Sequence, residues 1–167
     1  ARAQARFYPS VHPLQSYSQD LEVLKDFWTQ HGNPQWTEQR RRFLALLEEQ
    51  ARLERMARIV GKDALPPRQQ QVLLCAELIN EAFLRQSAFS PLDRFCSPER
   101  QIAMMQTLVQ FIDLCEAALA QQVDMAEVAA LPLLRRLRRM GEDIGDQRLD
   151  DFDALRREME TAFLQLA

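Results

Sequence analysis

The residues whose side chains could do chemistry are few and scattered in this 167-residue sequence. A phosphate-binding loop needs an earlier glycine and a following serine or threonine around its Gly-Lys pair, and Gly61-Lys62 lacks both. The two histidines, His12 and His31, fall in predicted loops, where a surface position is the simpler interpretation. No zinc-protease, serine-hydrolase or calcium-loop pattern occurs. The sequence therefore predicts no catalytic residue and no metal site.

The cysteines also argue against a built reaction centre. Cys75, Cys96 and Cys115 are odd in number and have no CxxC spacing, so neither a zinc site nor a disulfide framework is expected, and a reducing compartment fits. Cys75 and Cys115 fall on apolar helix faces, where a thiol behaves as an inert small hydrophobe. Cys96 lies in a predicted loop and is given no catalytic role.

The overall composition indicates a helical protein with a real core. The chain is 47% hydrophobic and 27% charged, with only 4 glycines. Abundant Leu, Ala, Gln, Glu and Arg favour helix over sheet. The net charge of −3 argues against a nucleic-acid binder, which usually carries a basic surplus. No apolar run approaches the ~20 residues of a membrane span, and no signal peptide is visible.

Apolar residues recur at helical spacing in five segments, and start and stop residues bound them. Ser18 and Thr37 are the expected N-caps of the first two helices, Gly61 ends the second, and Pro67 opens the third. Ser97-Pro98-Glu99 is a strong start for the fourth. The expected core faces are as follows: Leu21, Leu24 and Trp28; Phe43, Leu46, Leu53, Ala57 and Val60, interrupted by Gln50; Val72, Cys75, Ala76, Ile79 and Phe83; Ile102, Met105, Val109, Ile112, Cys115 and Leu119; Phe152, Leu155, Met159, Phe163 and Leu166.

These elements predict an all-α helical bundle with a short irregular N-terminal segment. Residues 1–17 are expected to be a connector and residues 18–167 the helical domain. A loop over 86–96 and a broken region around Pro132, followed by Gly141 and Gly145, interrupt the helices. Met104, Met105, Met140 and Met159 are expected to fill the core.

Three segments in order resemble the catalytic A subunits of V/A-type rotary ATPases. Residues 6–18 (RFYPSVHPLQSYS) are similar to the family's aromatic-Pro segment that leads into Ser-Tyr-Ser. Residues 59–65 (IVGKDAL) are close to its VGKDAL motif. Residues 81–89 (EAFLRQSAF), followed by Asp93, Cys96, Ser97 and Pro98, are similar to its REDFLQQNAF segment. Three motifs at matching spacing are specific where one would be weak.

The resemblance implies that this chain is the helical C-terminal domain, preceded by the end of a nucleotide-binding domain. The P-loop, Walker-B acid and catalytic Glu that act on ATP or ADP with Mg²⁺ would lie upstream of Ala1, so the chain alone is expected to be inactive. The implied partners are the B subunit, in an alternating hexamer, and the central-stalk subunits. The implied location is the cytoplasmic head, peripheral to the membrane, without direct membrane insertion.

The resemblance also implies an adenine pocket. Tyr8 matches the aromatic that stacks on the base, Phe89 matches the opposite wall, and Ala88 and Ser87 line that wall. An aromatic sandwich suits a purine, because stacking is worth about 1–3 kcal/mol per base. The alternative is that Tyr8 and Phe89 are ordinary packing aromatics.

The connector after the second helix matches the loop that bears on the central rotor stalk. The implied contact residues are Lys62, Asp63, Ala64, Leu65 and Pro66. Pro66, Pro67 and Arg68 stand where acids are common in the family, so we expect a steric contact rather than a charge contact, with the prolines stiffening the loop. The alternative is an ordinary turn between two helices.

Two further interpretations remain open from the sequence. The chain could be a free-standing helical interaction module with no nucleotide role, because a fold does not dictate function. The Arg clusters at 40–42 and 135–139 could bind nucleic acid, anionic lipid or an acidic subunit, but nearby acids favour a solvated, partly paired helix face. The sequence does not decide between H⁺ and Na⁺ or between pump and synthase.

Overall fold

The structure is a computed structural model that describes residues 8–15, 20–62, 64–87 and 89–166. Within these ranges the chain forms seven α-helices and no strand, which confirms the all-α prediction. They are α1 (Leu21–Gln30), α2 (Trp36–Val60), α3 (Pro67–Ile79), α4 (Pro98–Ala120), α5 (Met125–Ala129), α6 (Leu133–Asp143) and α7 (Asp150–Leu164).

Most of the predicted helix boundaries are confirmed. Gly61 caps α2 at φ 88°, a left-handed conformation that glycine adopts without steric cost. Pro67 is the first residue of α3, and the Ser97 side chain accepts the Arg100 N–H at the start of α4. The predicted N-cap Ser18 lies outside the described residues.

The predicted N-cap Thr37 is wrong, because Thr37 lies inside α2, whose first residue is Trp36 and whose N-cap is Gln35. Trp36 is already helical, and its N–H donates to the Asn33 carbonyl at 3.2 Å. The Trp36 ring stacks on Trp28 of α1, with 5.9 Å between ring centroids. This contact between two helices fixes the start of α2 and overrides the local capping preference of Thr37.

The core is built around α3, which packs between α2 and α4. Its residues 71–76, 78 and 79 are all buried, and only Glu77 within that stretch is partly exposed. Helix α7 packs on the other side of α4 through Phe152, Leu155, Met159 and Phe163. All four predicted core methionines are buried, as are Cys75 and Cys115. Val109, Leu119, Phe83 and Leu166 are only half-buried and pack at the margin of this core.

Helix α4 corrects one expectation from the sequence. It is 23 residues long and contains an 18-residue stretch of mean hydropathy 1.4, which by length and composition would be enough to cross a membrane. Half of that stretch is buried inside the fold. The core helix of a bundle has the same character, so this composition is weak evidence for a span.

Helix α3 ends in a π-helical turn, Asn80–Leu84, before the chain enters the loop at 85–97. The Asn80 side chain donates to the Gln50 side-chain oxygen of α2 at 2.9 Å and to the Ala76 carbonyl at 3.0 Å. Gln50, which interrupts the apolar face of α2, is therefore a buried partner of this turn. Single π-turns inside helices are often found at functional sites.

The broken region around Pro132 is present, but Gly141 does not belong to it. Helix α6 runs through Gly141 to Asp143. The missing side chain of Gly141 lets α6 approach its neighbours. A Cβ there would lie 3.1 Å from Met104 Cε and 3.6 Å from the Ala82 carbonyl oxygen. The glycine thus serves close packing rather than a helix end.

The described part of the N-terminal segment, residues 8–15, lies against the bundle. Leu14 is half-buried against the core, and Pro13 lines a small cavity of about 270 Å³ with residues of α2 and the π-helical turn. The segment therefore packs more closely on the helices than its sequence indicates. The division at residues 17 and 18 stays a prediction.

Candidate functional site

Three of the four predicted adenine-site residues line one open cavity of about 780 Å³. Tyr8 comes from the N-terminal segment, and Ser87 and Phe89 come from a loop about 80 residues later in the chain. Both aromatic rings are accessible: Tyr8 is 55% exposed and Phe89 is 96% exposed. Ala88 lies outside the described residues. A volume of this size is typical of small-molecule sites.

The backbone of Tyr8 is hydrogen-bonded to the loop that carries Phe89. The Gln86 N–H donates to the Tyr8 carbonyl at 2.7 Å, so the N-terminal segment and the loop after the π-helical turn form one unit. Because the bond uses backbone atoms, the Tyr8 ring is free to contact a ligand. Both rings are too exposed to serve as core packing, which disfavours the interpretation that they are ordinary packing aromatics.

The loop that carries Phe89 is closed by hydrogen bonds to and from Asp93. The Asp93 carboxylate accepts the Ser87 N–H, and the Asp93 N–H donates to the Ser90 hydroxyl at 3.2 Å. Asp93 is 8% exposed and lines the cavity. The polar rim of the cavity also includes Arg85, Arg94, Gln86 and Glu142.

A buried arginine holds the far half of the same loop. Arg100, 1% exposed, donates from one guanidinium nitrogen to the Leu92 carbonyl at 2.7 Å and the Phe95 carbonyl at 2.9 Å. Its other terminal nitrogen donates to the Gly141 carbonyl of α6. Arg100 Nε is the one buried side-chain nitrogen or oxygen atom without a partner in the part of the chain the structure describes. Arg100 thus ties the loop to both α4 and α6.

The loop ends at Ser97, whose N–H and hydroxyl donate to the Asp146 carboxylate at 3.2 and 2.8 Å. Cys96 precedes it and is half-buried. Burial raises the pKa of the Cys96 thiol above its usual value, and the nearby Arg100 opposes that shift in part. A raised pKa leaves little thiolate at neutral pH. That Cys96 has no catalytic role stays a prediction.

The predicted stalk contact is the tip of the α2–α3 hairpin. Lys62, Ala64 and Pro66 are exposed, and Asp63 lies outside the described residues. Leu65 is 6% exposed, so its side chain anchors the tip to the core. Lys62 forms an ion pair with Glu77 of α3, so the charge of Lys62 is already engaged within the chain.

The Arg clusters are largely paired, as the sequence indicates. Most of their side chains are bridged to acids: Arg41 to Glu38, Arg42 to Asp113 and Glu116, Arg136 to Glu158, Arg138 to Glu81, and Arg139 to Glu142 and Asp143. Such a surface gives little unpaired positive charge for a nucleic acid or lipid. The absence of nucleic-acid binding stays a prediction.

Sequence reasoning missed the part played by Arg100 and understated that of Asp93. Arg100 stands in the first turn of a helix, where its pattern is that of a surface residue, and only its burial identifies it. Asp93 belongs to the third motif, but a motif position does not say what the carboxylate binds.

The family follows from comparison with known proteins. The family model described as "C-terminal domain of V and A type ATP synthase" matches residues 25–131, well over half of the chain. The chain belongs to this family. Among its relatives are A-type ATP synthase subunits A from Pyrococcus horikoshii, 38% identical over 138 residues, and from Thermococcus onnurineus, 36% identical over 138 residues. That from Thermofilum pendens is 34% identical over 141 residues.

These alignments cover 83 to 84% of the chain. The chain spans 14% of the Pyrococcus relative and 24% of each of the other two. The resemblance stated from three motifs is confirmed. Among the described residues of this C-terminal ATP synthase domain, no group of three or more His, Cys, Asp or Glu side chains could hold a metal ion.

Proposed function

We propose that this chain completes the adenine pocket of the catalytic A subunit of a V/A-type rotary ATPase or ATP synthase. The observation that carries the proposal is the meeting of Tyr8 and Phe89 at one cavity, from segments far apart in sequence. Two accessible rings facing a cavity suit a purine base, which binds by stacking without many hydrogen bonds. The phosphates and Mg²⁺ would be held by upstream residues, so we expect the chain alone to turn over no ATP.

The test is photolabelling of the assembled ATPase head with an ATP analogue that carries an azide on the adenine ring. We expect the label on peptides that contain Tyr8 or residues 85–94, and we expect excess MgATP to prevent it. An analogue with its reactive group on the γ-phosphate serves as the control and should leave this chain unlabelled. Labelling by the adenine probe confined to α5–α7 peptides would contradict the proposed pocket.

The same proposal assigns a mechanical role to the tip of the α2–α3 hairpin. The adenine wall follows one end of α3 and the connector precedes the other, so α3 links the two places within one buried helix. We propose that the domain moves as a unit when nucleotide binds, and that the tip presses on the central stalk to drive H⁺ or Na⁺ transport. The B subunit and stalk subunits are the proposed partners, in a cytoplasmic head peripheral to the membrane.

The contact with the stalk is expected to be steric. Lys62 is paired with Glu77, and Arg68 lies 3.9 Å from the Glu116 carboxylate, so the charges described at the tip are engaged within the chain. The variant Asp63→Asn/Arg68→Gln should therefore assemble and rotate with torque within about 20% of the wild type, because charge adds little at an exposed contact.

The matched variant Pro66→Gly/Pro67→Gly keeps every charge but makes the tip flexible. We expect it to lower torque in a single-molecule rotation assay while the ATPase head still assembles. Loss of torque in Asp63→Asn/Arg68→Gln, with the glycine variant unaffected, would show that charge drives the contact.

The free-standing interaction module remains the alternative function. Such a module would need a binding face away from the cavity, and α1 exposes the apolar side chains of Leu21, Val23, Leu24 and Phe27. The exposed rings of Tyr8 and Phe89 at the cavity favour the adenine proposal instead. An unlabelled chain in the photolabelling experiment would support it.

A further inference from the structure

Asp93 is a buried carboxylate in a loop of exposed neighbours. It is 8% exposed, whereas Leu92 and Arg94 on either side are exposed. Burying a carboxylate costs free energy unless it is well hydrogen-bonded. Asp93 lines the cavity shared by Tyr8 and Phe89, and also a smaller polar cavity of about 220 Å³ beside it.

The hydrogen bonds around Asp93 close the segment 87–93 on itself. The Asp93 carboxylate accepts the Ser87 N–H at one end, and Asp93 donates its own N–H to the Ser90 hydroxyl. Within the segment, the Ser90 N–H donates to the Ser87 carbonyl at 3.1 Å, and the Arg94 N–H donates to the Ser90 carbonyl at 3.1 Å. The segment therefore contains two consecutive turns, and the Asp93 carboxylate near its end is hydrogen-bonded back to Ser87 at its start.

Phe89 stands at the tip of these turns. Its side chain is 96% exposed, so contacts of the ring itself do little to fix its direction. The backbone of the turn therefore sets the direction of the Phe89 Cα–Cβ bond, and the hydrogen bond from the Ser87 N–H to the Asp93 carboxylate spans this turn. A binding group held in place before its ligand arrives loses less conformational entropy on binding.

We propose that Asp93 is a positioning residue for adenine recognition, which holds Phe89 at the cavity that Tyr8 also lines by accepting the Ser87 N–H. This inference rests on the proposed adenine pocket. A carboxylate suits the task because its hydrogen bond to a backbone N–H is charge-assisted and roughly twice as strong as a neutral one. Helix α6 packs closely against the Asp93 carboxylate, since a Cβ on Gly141 would lie 3.4 Å from Asp93 Oδ1.

The test compares nucleotide with a ligand that has no base. In the natural subunit, which includes the upstream phosphate-binding part, we would measure the affinity for MgATP and for Mg-tripolyphosphate by calorimetry. Asp93→Ala should bind MgATP about tenfold more weakly, because the stacking wall is no longer preset, with tripolyphosphate affinity changed by less than about twofold. Asp93→Asn keeps one acceptor and folds more safely, and it should weaken MgATP by about threefold.

The matched control is Asp146→Ala, which removes another aspartate that anchors the same loop, through Ser97. Asp146 does not line the adenine cavity, so this variant should leave the ratio of MgATP to tripolyphosphate affinity unchanged. Amide hydrogen exchange at Ser87, measured on this chain alone, should accelerate at least tenfold in Asp93→Ala and stay unchanged in Asp146→Ala.

Equal weakening of MgATP and tripolyphosphate in Asp93→Ala and Asp93→Asn, or no weakening of either ligand, would overturn the positioning role. Tyr8→Ala separates the two levels of the argument. If Tyr8→Ala lowers the affinity ratio and both Asp93 variants do not, only the role of Asp93 fails. If Tyr8→Ala also leaves the ratio unchanged, the adenine pocket itself is wrong.

Discussion

Removing both aromatic rings from the cavity, as Tyr8→Ala/Phe89→Ala in the full subunit, should weaken MgATP binding by at least about 5-fold and up to about 150-fold. The estimate converts stacking of about 1–3 kcal/mol per base into affinity. The lower end applies if one ring carries most of the contact. Because both side chains are exposed, their loss should leave the stability of the helical domain almost unchanged.

The measurement is a binding titration of MgATP, with thermal unfolding followed in parallel. Tyr8→Phe keeps the ring and should bind within about twofold of the wild type. Phe95→Ala is the matched control, because Phe95 is 74% exposed on the same loop but does not line the cavity. If Phe95→Ala weakened binding as much as the double variant, stacking at this cavity would not be the cause.

Arg100→Met should destabilise the helical domain by about 3 kcal/mol or more. The substitution removes the charged donor to three carbonyls, of Leu92, Phe95 and Gly141, and a hydrogen bond to a charged group contributes about 1.5–3 kcal/mol. The Gly141 carbonyl is also left buried without this partner. Methionine fills part of the volume, so the loss reflects hydrogen bonding more than a cavity. For a domain of this size the Tm should fall by on the order of 10 °C.

Thermal unfolding of this chain, followed by circular dichroism, measures the effect. Arg100→Lys keeps the charge but presents one compact ammonium in place of a fork, so an intermediate loss is expected. Arg135→Met is the matched control at an exposed arginine of α6 and should change the free energy of unfolding by less than about 0.5 kcal/mol. A loss below about 1 kcal/mol for Arg100→Met would mean that water replaces the guanidinium donors.

Local signals made most of the helices predictable. The starts of α3 and α4 and the end of α2 follow from single residues: Pro67, Ser97 with Pro98, and Gly61. Capping and proline geometry act within one turn of chain, so the sequence contains all the information they need. The core faces of α2, α3, α4 and α7 follow from periodicity for the same reason.

Predictions failed where a distant contact competes with a local preference. Thr37 lost the N-cap position because the Trp28–Trp36 stack fixes the helix start. A glycine often marks a break in a helix, but Gly141 lies inside α6, where its missing side chain allows contact with Met104 and Ala82. Neither effect is visible within a window of neighbouring residues.

The candidate site divides in the same way. The resemblance to the family singled out Tyr8, Ser87 and Phe89, and the structure brings these residues to one cavity. Leu65 was grouped with the stalk-contact residues, but it is buried, because the side of a tight turn that faces its own domain cannot be told from the motif. The adenine and stalk roles stay proposals.

The sequence by itself determined the helical class, most helix boundaries and the family, since all three depend on short-range patterns and on motifs in fixed order. Only the tertiary structure decided that Tyr8 and Phe89 line one cavity, that the Asp93 carboxylate closes the turn that carries Phe89, and that Arg100 is buried beneath the loop. These arrangements join groups tens of residues apart. Their hydrogen bonds exist only after the helices have packed and excluded water, so no local preference encodes them.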